Sequence, residues 1–223
     1  MDKPLKIIVP REAARLWSPE KYLIQTKADG VFQTRQIDAG GTKATIAGEF
    51  ITAKSGGFLT PRHAEMLKRN PGGCFIAWDV LAAGDCDMSQ KPARARWGTL
   101  CGLLRWLPDG WGLIEHNLTP DQAFALGAEG VVAKGWNDPY TAPMLCCKQL
   151  TTYRCRVVST GATQSVGIAD AETGADRGHV ALRGGKCERV RVGSAIRVEG
   201  MGLTAAGKIR EPRCTEEVWL VKF

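Results

Sequence analysis

Residues 21–52, KYLIQTKADGVFQTRQIDAGGTKATIAGEFIT, decide how the first part of the chain folds. The stretch reads as short strands: KYLIQTK, then VFQTRQI, a turn at DAGG, and TKATIAGEFIT. Alternation of apolar and polar positions, with many β-branched residues, is the pattern of strands that bury one face. Gly40-Gly41 supplies a hairpin turn, since glycine tolerates the positive φ that a two-residue connection needs. Downstream, TPRHAEMLKRN predicts a helix with Thr60 as N-cap and Pro61 at the first helical position, stopped by Asn70-Pro71-Gly72-Gly73. CFIAWDVLA is an apolar run of strand length and predicts a buried strand, while PARARWGTLCGLLRWL has helical periodicity. LTPDQAFALGA predicts another helix, capped by Thr119 with Pro120 following, and leads through Gly127 into a strand at EGVVAKG. The first part of the chain is therefore expected to be a mixed α+β unit.

After about Thr151 the pattern changes. YRCRVVS, GHVALR, KCERVRV, SAIRVEG and EEVWLVKF are short alternating segments separated by Gly-rich turns. Five strands in some 70 residues, with no convincing helix, predict a small all-β barrel of the OB type. The expected division is 1–150 for the α+β domain and 151–223 for the OB domain.

The whole chain has 223 residues, 44% hydrophobic and 24% charged, an ordinary soluble globular composition. It is long enough to bury a core without disulfides or structural metals. The absence of a long apolar run predicts no membrane span, and MDKPLKIIVPRE lacks the apolar core of a secretory signal. The eight cysteines never form C-x-x-C, which argues against a zinc module and, without a secretory signal, for reduced thiols in a cytoplasmic protein; a monomer is expected. The net charge is +7, of which +4 sits on residues 152–223, where Arg outnumbers Lys three to one. Arginine suits bidentate phosphate contacts, so the charge points to a polyanionic partner.

Lys27-Ala28-Asp29-Gly30 ends an apolar strand and enters a turn. The pattern suits a lysine nucleophile with a carboxylate beside it, and equally a solvated strand end with a turn-forming Asp-Gly. Four further segments follow in order: Gly48-Glu49-Phe50, Trp78-Asp79-Val80-Leu81, Glu129-Gly130-Val131-Val132-Ala133-Lys134, and Lys148. Each alone has a plain structural explanation. Trp78 fits as a core aromatic, and Glu129 with Lys134 as a surface ion pair.

Together, the ordered set resembles the nucleotidyltransferase motifs of ATP-dependent DNA ligases, in particular the minimal two-domain bacterial and phage kind. Lys27–Gly30 matches motif I, Gly48–Phe50 motif III, Trp78–Leu81 motif IIIa, Glu129–Lys134 motif IV and Lys148 the end of motif V. WDVLAAGDCDMSQKPARARWGTL is similar to the family's F-D-L-L stretch and its P-x-x-x-R helix, here Pro92 to Arg96. GLTAAGKIREPR, residues 202–213, is similar to its G-K-x-R-x-P segment.

The resemblance implies an ATP-grasp-like adenylation domain followed by an OB domain, sealing nicks in duplex DNA during repair or replication. Lys27 would attack the α-phosphate of ATP, AMP would pass to a 5′-phosphate, and a 3′-hydroxyl would displace it. The implied nucleotide-binding set is Gln25, Thr26, Asp29, Gly30, Glu49, Trp78, Glu129, Val132, Lys134 and Lys148. Glu49 and Glu129 would hold Mg²⁺ or contact the ribose, and Lys134 and Lys148 would bring positive charge near Lys27. Trp78 and Val132 would flank adenine. Val132 and Lys134 share a strand face, whereas Glu129 has the other parity and needs a bend to join them. Lys208, Arg210 and Arg213 are the implied DNA contacts, and Lys27 itself is expected on the solvent side.

The sequence also departs from the family pattern. Phe32 stands where an arginine is usual, the Ser-Arg segment of motif Ia is missing, Cys146 replaces the first motif V lysine, and no R-x-D-K closes the OB part. These losses predict slow self-adenylylation with ordinary sealing of pre-adenylylated nicks, unless Lys43, Lys54 or Lys222 fills the gap. The alternatives are an RNA ligase, a capping-type guanylyltransferase, or a non-catalytic basic OB-type nucleic-acid-binding protein.

Overall fold

Strands dominate the computed structural model, which describes residues 4–53, 58–160, 164–182 and 190–219. The chain divides into two compact units, Met1–Gln149 and Leu150–Phe223.

The first unit contains β1 (Lys6–Ile8), α1 (Arg11–Ala14), β2 (Tyr22–Lys27), β3 (Val31–Ala39), β4 (Thr42–Ile51), α2 (Pro61–Arg69) and β5 (Cys74–Ala83). These are followed by β6 (Cys86–Asp87), α3 (Ala93–Gly102), β7 (Trp111–Leu113), α4 (Pro120–Ala125), β8 (Gly130–Gly135) and β9 (Met144–Lys148). One sheet has the order β1-β9-β8-β2; the other runs β3-β4-β5-β6, with β7 parallel to β5. Leu23 and Met144 of the first sheet share a core with Ile46, Phe75, Ile76 and Leu100. The other face of the first sheet, at Val131 and Cys147, is covered by Ala14, Ala123 and Phe124.

The mixed α+β character holds, but helix is scarcer than the sequence pattern implied. Among the described residues the longest helix is α3 at ten residues, because the expected helix through Leu107 breaks after Gly102 into a short 3₁₀ turn, Leu104–Trp106. The Gly40-Gly41 turn adopts φ of 66° and 88°, and Asp38 Oδ1 accepts from the Gly41 amide. Thr60 caps α2 by accepting from His63 N, and Thr119 with Gln122 forms a reciprocal capping box on α4. Among the described residues no helix is long and apolar enough to cross a membrane.

The second unit is a five-stranded antiparallel sheet: β10 (Thr151–Thr160), β11 (Ser165–Asp170), β12 (Asp176–Ala181), β13 (Ala195–Gly200) and β14 (Arg213–Trp219). Its order is β12-β11-β10-β13-β14, and the end strands β12 and β14 also approach each other, so the sheet curls toward a barrel. Ser165–Asp170 forms a strand that the sequence pattern does not single out, whereas a strand is expected at KCERVRV. Of that segment, 186–189 lie outside the described residues, Val190 and Arg191 are irregular, and Val192 begins a turn with Gly193. The last expected strand is described only to Trp219, and Lys54 and Lys222 also lie outside the described residues.

Candidate active site

Register places the chemistry on one face of the first sheet. β2 pairs with β8 as Lys27 with Gly130, Gln25 with Val132 and Leu23 with Lys134. β9 then pairs Lys148 with Gly130 and Cys146 with Val132, and β1 pairs Lys6 with Met144. Residues two apart on a strand share a face, so Lys6, Gln25, Lys27, Val132, Lys134, Cys146 and Lys148 all project to one side.

Lys27 ends β2 with its side chain only 12% exposed, and its Nζ forms an ion pair with Oε2 of Glu129. Glu129 reaches the site because it lies just outside β8, where strand alternation no longer applies. Its backbone oxygen accepts from Gln149 N at 2.9 Å, and its Oε1 lies 4.0 Å from Lys148 Nζ. The bend that the sequence left open is present. Burial pushes the Lys27 amine down, but the Glu129 and Glu49 carboxylates outweigh it and hold the amine above its ordinary value. At rest Lys27 is therefore an ammonium, and it must lose a proton before it can attack an electrophile. Glu49 Oε2 accepts from the Gly30 amide at 3.0 Å, fixing the turn after Lys27, and the charge of Asp29 is felt at Glu129. Gly48 makes this possible: a Cβ there would lie 2.4 Å from the Phe75 ring and 2.6 Å from the Ile76 carbonyl oxygen.

A narrow, largely apolar cleft opens beside Lys27, lined by Gln25, Trp78, Val132, Met144 and Lys6 among others. The Trp78 ring stacks parallel to Tyr140 with centroids 5.9 Å apart, and Phe32 leans on it at 6.0 Å. Its carbonyl accepts from Gln25 Nε2 at 3.1 Å and from Lys134 Nζ at 3.2 Å. Lys134 does not meet Lys27. It stands at the other end of β8, 4.3 Å above the Trp78 ring centroid, and binds Asp79 Oδ2 at 3.1 Å. Arg96, fully buried, grips the same carboxylate through two bonds of 2.9 and 3.1 Å and donates to the Lys91 and Asp138 carbonyls. The result is a buried Arg96–Asp79–Lys134 network beneath the tryptophan platform.

Thr26 turns its hydroxyl away from the cleft to Glu115 Oε2, at 3.0 Å. The same carboxylate accepts from Thr60 Oγ1 at 2.5 Å and lies 3.2 Å from His63 Nε2. Burial pushes the Glu115 carboxyl up, but His63 and Thr60 outweigh it and hold it at about 2, against an ordinary value of 4.5. A carboxyl lowered in the folded state contributes stability above its unfolded value, and that contribution is lost as pH falls from about 4.5 toward 2. Glu115→Gln is thus expected to flatten the fall in urea midpoint between pH 5 and 3 that the parent protein shows. An equally steep fall in the variant would assign the acid sensitivity to other groups.

Sequence reasoning missed Lys6, His63 and Glu115. Lys6 sits on a three-residue strand that pairs in parallel, and the other two meet only through the fold. Lys43 is exposed beside the hairpin turn, six residues along β4 from Glu49, and supplies nothing here. In the second unit Lys208 pairs with Asp176, Arg213 opens β14 opposite Glu199, and the backbone of Arg210 bonds to Met201 and Gly202. Glu49 and Glu129 are hard oxygen donors that fit a magnesium ion completed by phosphate and water. No group of three metal-ligating side chains occurs among the described residues.

No family model matches the chain. No curated protein matches it either. Solved structures do. The chain is similar to a Lig E DNA ligase, described as binding DNA with a minimal scaffold, at a TM-score of 0.71 and 18% identity over 98% of this chain and 100% of that one. It is also similar to the ligase domain of M. tuberculosis LigD, at a TM-score of 0.53 and 13% identity over 98% of this chain and 95% of that one. A mycobacterial DNA ligase D complexed with ATP gives the same values. At such identities the likeness is one of fold. The chain has the fold of DNA ligases.

Proposed function

We propose that this chain is an ATP-dependent DNA ligase acting on nicked duplex DNA. The observation that carries the reading is a buried lysine amine set between two carboxylates and a second lysine, beside an aromatic-walled cleft, in a ligase fold. Lys27 Nζ forms a P–N bond to the α-phosphorus of ATP as pyrophosphate leaves. AMP then passes to the 5′-phosphate at the nick, and the 3′-hydroxyl displaces it. Before the first step the Lys27 proton must leave, and Glu129 Oε2 is the nearest base to receive it. Lys148 then balances phosphate charge, and Trp78 and Val132 flank the base. Magnesium, held by Glu49 and Glu129 with the phosphates, would neutralise charge on the triphosphate and favour the free amine. With Cys146 in place of a lysine, charging with AMP remains the step expected to be slow.

Intact mass after incubation with ATP and Mg²⁺, followed by sealing of nicks built from DNA, RNA and mixed strands, tests the reading. An AMP adduct with sealing of DNA-only nicks supports it. Sealing confined to RNA, or a GMP adduct, selects one of the alternatives, and no adduct leaves a binding protein.

The DNA surface is better supplied by Arg154, Arg156 and Arg197 than by the 208–213 segment. All three are exposed on one face of the second sheet, and Arg154 lies directly across the ladder from Arg197. Neutralising all three should lower the slope of log affinity against log salt by about 2–3, similarly for all duplex sequences. An unchanged slope would put the phosphate contacts elsewhere.

A further inference from the structure

Residues 115–117, just beyond β7, run antiparallel along the edge of β2 that β8 leaves free. The Thr26 amide donates to Glu115 O at 2.8 Å, Gln25 sits opposite His116, and the Asn117 amide donates to Ile24 O at 2.8 Å. Thr26, one residue before the proposed nucleophile, is thus held on both edges, by Val131 of β8 and by Glu115. Neighbouring residues of a strand face opposite sides, so the Thr26 hydroxyl and the Lys27 amine point apart.

On the far side the Glu115 carboxylate gathers three segments. Its Oε2 accepts from Thr26 Oγ1 at 3.0 Å, its Oε1 accepts from Thr60 Oγ1 at 2.5 Å, and His63 Nε2 lies 3.2 Å from Oε2. Thr60 is the N-cap of α2 and His63 lies in its first turn, so one carboxylate ties the end of β2 to the start of a helix. Thr26, Thr60 and His63 are all buried, and their polar atoms cannot turn to water when the shared acceptor is removed. A carboxylate with both oxygens engaged sets direction as well as distance. Glu115 does not line the cleft, and the charges felt most at Lys27 are those of Glu129 and Glu49. Its influence on the amine therefore runs through Thr26.

We infer that Glu115 is a positioning residue: through Thr26 Oγ1 it fixes the end of β2 so that Lys27 Nζ is aimed at the α-phosphorus, in line with the departing pyrophosphate. This rests on the reading of the site as that of a ligase. The effect belongs to the one step in which Lys27 is the nucleophile. Sealing a nick that already carries AMP makes its new bond from a 3′-hydroxyl and needs no attack by the lysine.

The test separates those steps in the full chain. Glu115→Ala and Thr26→Val, alone and together, are compared with the parent below the melting temperature of the least stable variant. Formation of the AMP adduct in a single turnover at saturating ATP, followed by intact mass, should slow about 10- to 100-fold in each, the range for a misplacement of about 1 Å. Sealing of pre-adenylylated nicks by Glu115→Ala keeps the parent rate. Calorimetry on Glu115→Ala combined with Lys27→Arg should give a Kd for ATP within about twofold of Lys27→Arg alone, since aim is lost and binding is not. The double variant should be no slower than the slower single one, because both remove the same link. Glu115→Gln, whose amide oxygen still accepts from one hydroxyl, recovers part of the rate. If Glu115→Ala does not fold, Thr26→Val carries the same comparison, with Thr26→Ser as its rescue. Equal slowing of both steps would reduce the cluster to a support of the fold and overturn the inference. So would adduct formation at the parent rate, a rise in Kd that accounts for the whole loss, or a double variant slowed by the product of the two single factors. A parent chain that forms no adduct with ATP and Mg²⁺ refutes the ligase reading itself, and the inference with it.

Discussion

Lys27→Arg yields a folded protein that gains no mass with ATP and Mg²⁺ and seals no unadenylylated nick. Arginine keeps the cation that Glu129 faces but stays protonated at any pH a protein survives, so it cannot form the P–N bond. Lys27→Ala is equally inactive but costs stability as well. The sequence put this lysine on the solvent side, whereas its side chain is 12% exposed and paired with a carboxylate that is itself 4% exposed. Removing the cation leaves Glu129 with Lys148, 4.0 Å away, as its remaining paired cation. A buried charge stripped of its partner costs about 3–5 kcal/mol when nothing replaces it, and Lys148 offsets part of that. The arginine variant therefore isolates the chemistry from the fold. An adduct on either variant would move the nucleophile to another lysine.

Arg96→Ala is expected to cost about 3–5 kcal/mol, a larger stability loss than that of Lys27→Ala. Two effects add. Asp79 loses both guanidinium bonds and keeps Lys134, and the Lys91 and Asp138 carbonyls lose their donor. The vacated volume is also fully buried, so the site must collapse or leave a cavity. Urea unfolding followed by tryptophan emission reads this well, since six of the seven tryptophans belong to the first unit. A loss under about 1 kcal/mol would show that Lys134 and solvent satisfy Asp79 without Arg96. Arg96→Lys should recover little, because an ammonium cannot span a carboxylate and two carbonyls as the planar fork does.

Local signals carried much of this molecule. The β3–β4 hairpin, both Thr-Pro helix starts and the apolar β5 could be read from residues that interact with near neighbours. So could the shared face of Val132 and Lys134, because alternation sets it within a single strand. What stayed hidden depends on residues distant in sequence. β1 and β7 are three residues long and pair in parallel, so no turn announces them. Parity allows Lys134 to point at phosphate, but the choice is made by Asp79, which offers a buried countercharge. β11 contains Gly167 and small residues that weaken its pattern, and its place is evident only beside β10 and β12.

The order of strand pairing has a bearing on synthesis. The β3–β4 hairpin can close as soon as Ile51 is made, whereas Lys27 and Glu129 are separated by 102 residues. At ordinary translation speeds of about 5–20 residues per second, the lysine waits roughly 5–20 seconds for its counter-ion. β1 and β2 emerge first, yet the strands that flank them in the sheet, β9 and β8, are made last in the unit. A nascent chain thus carries the amine without the carboxylate or the cleft, and the proposed reaction with a nucleotide must wait until Lys148 is clear of the ribosome.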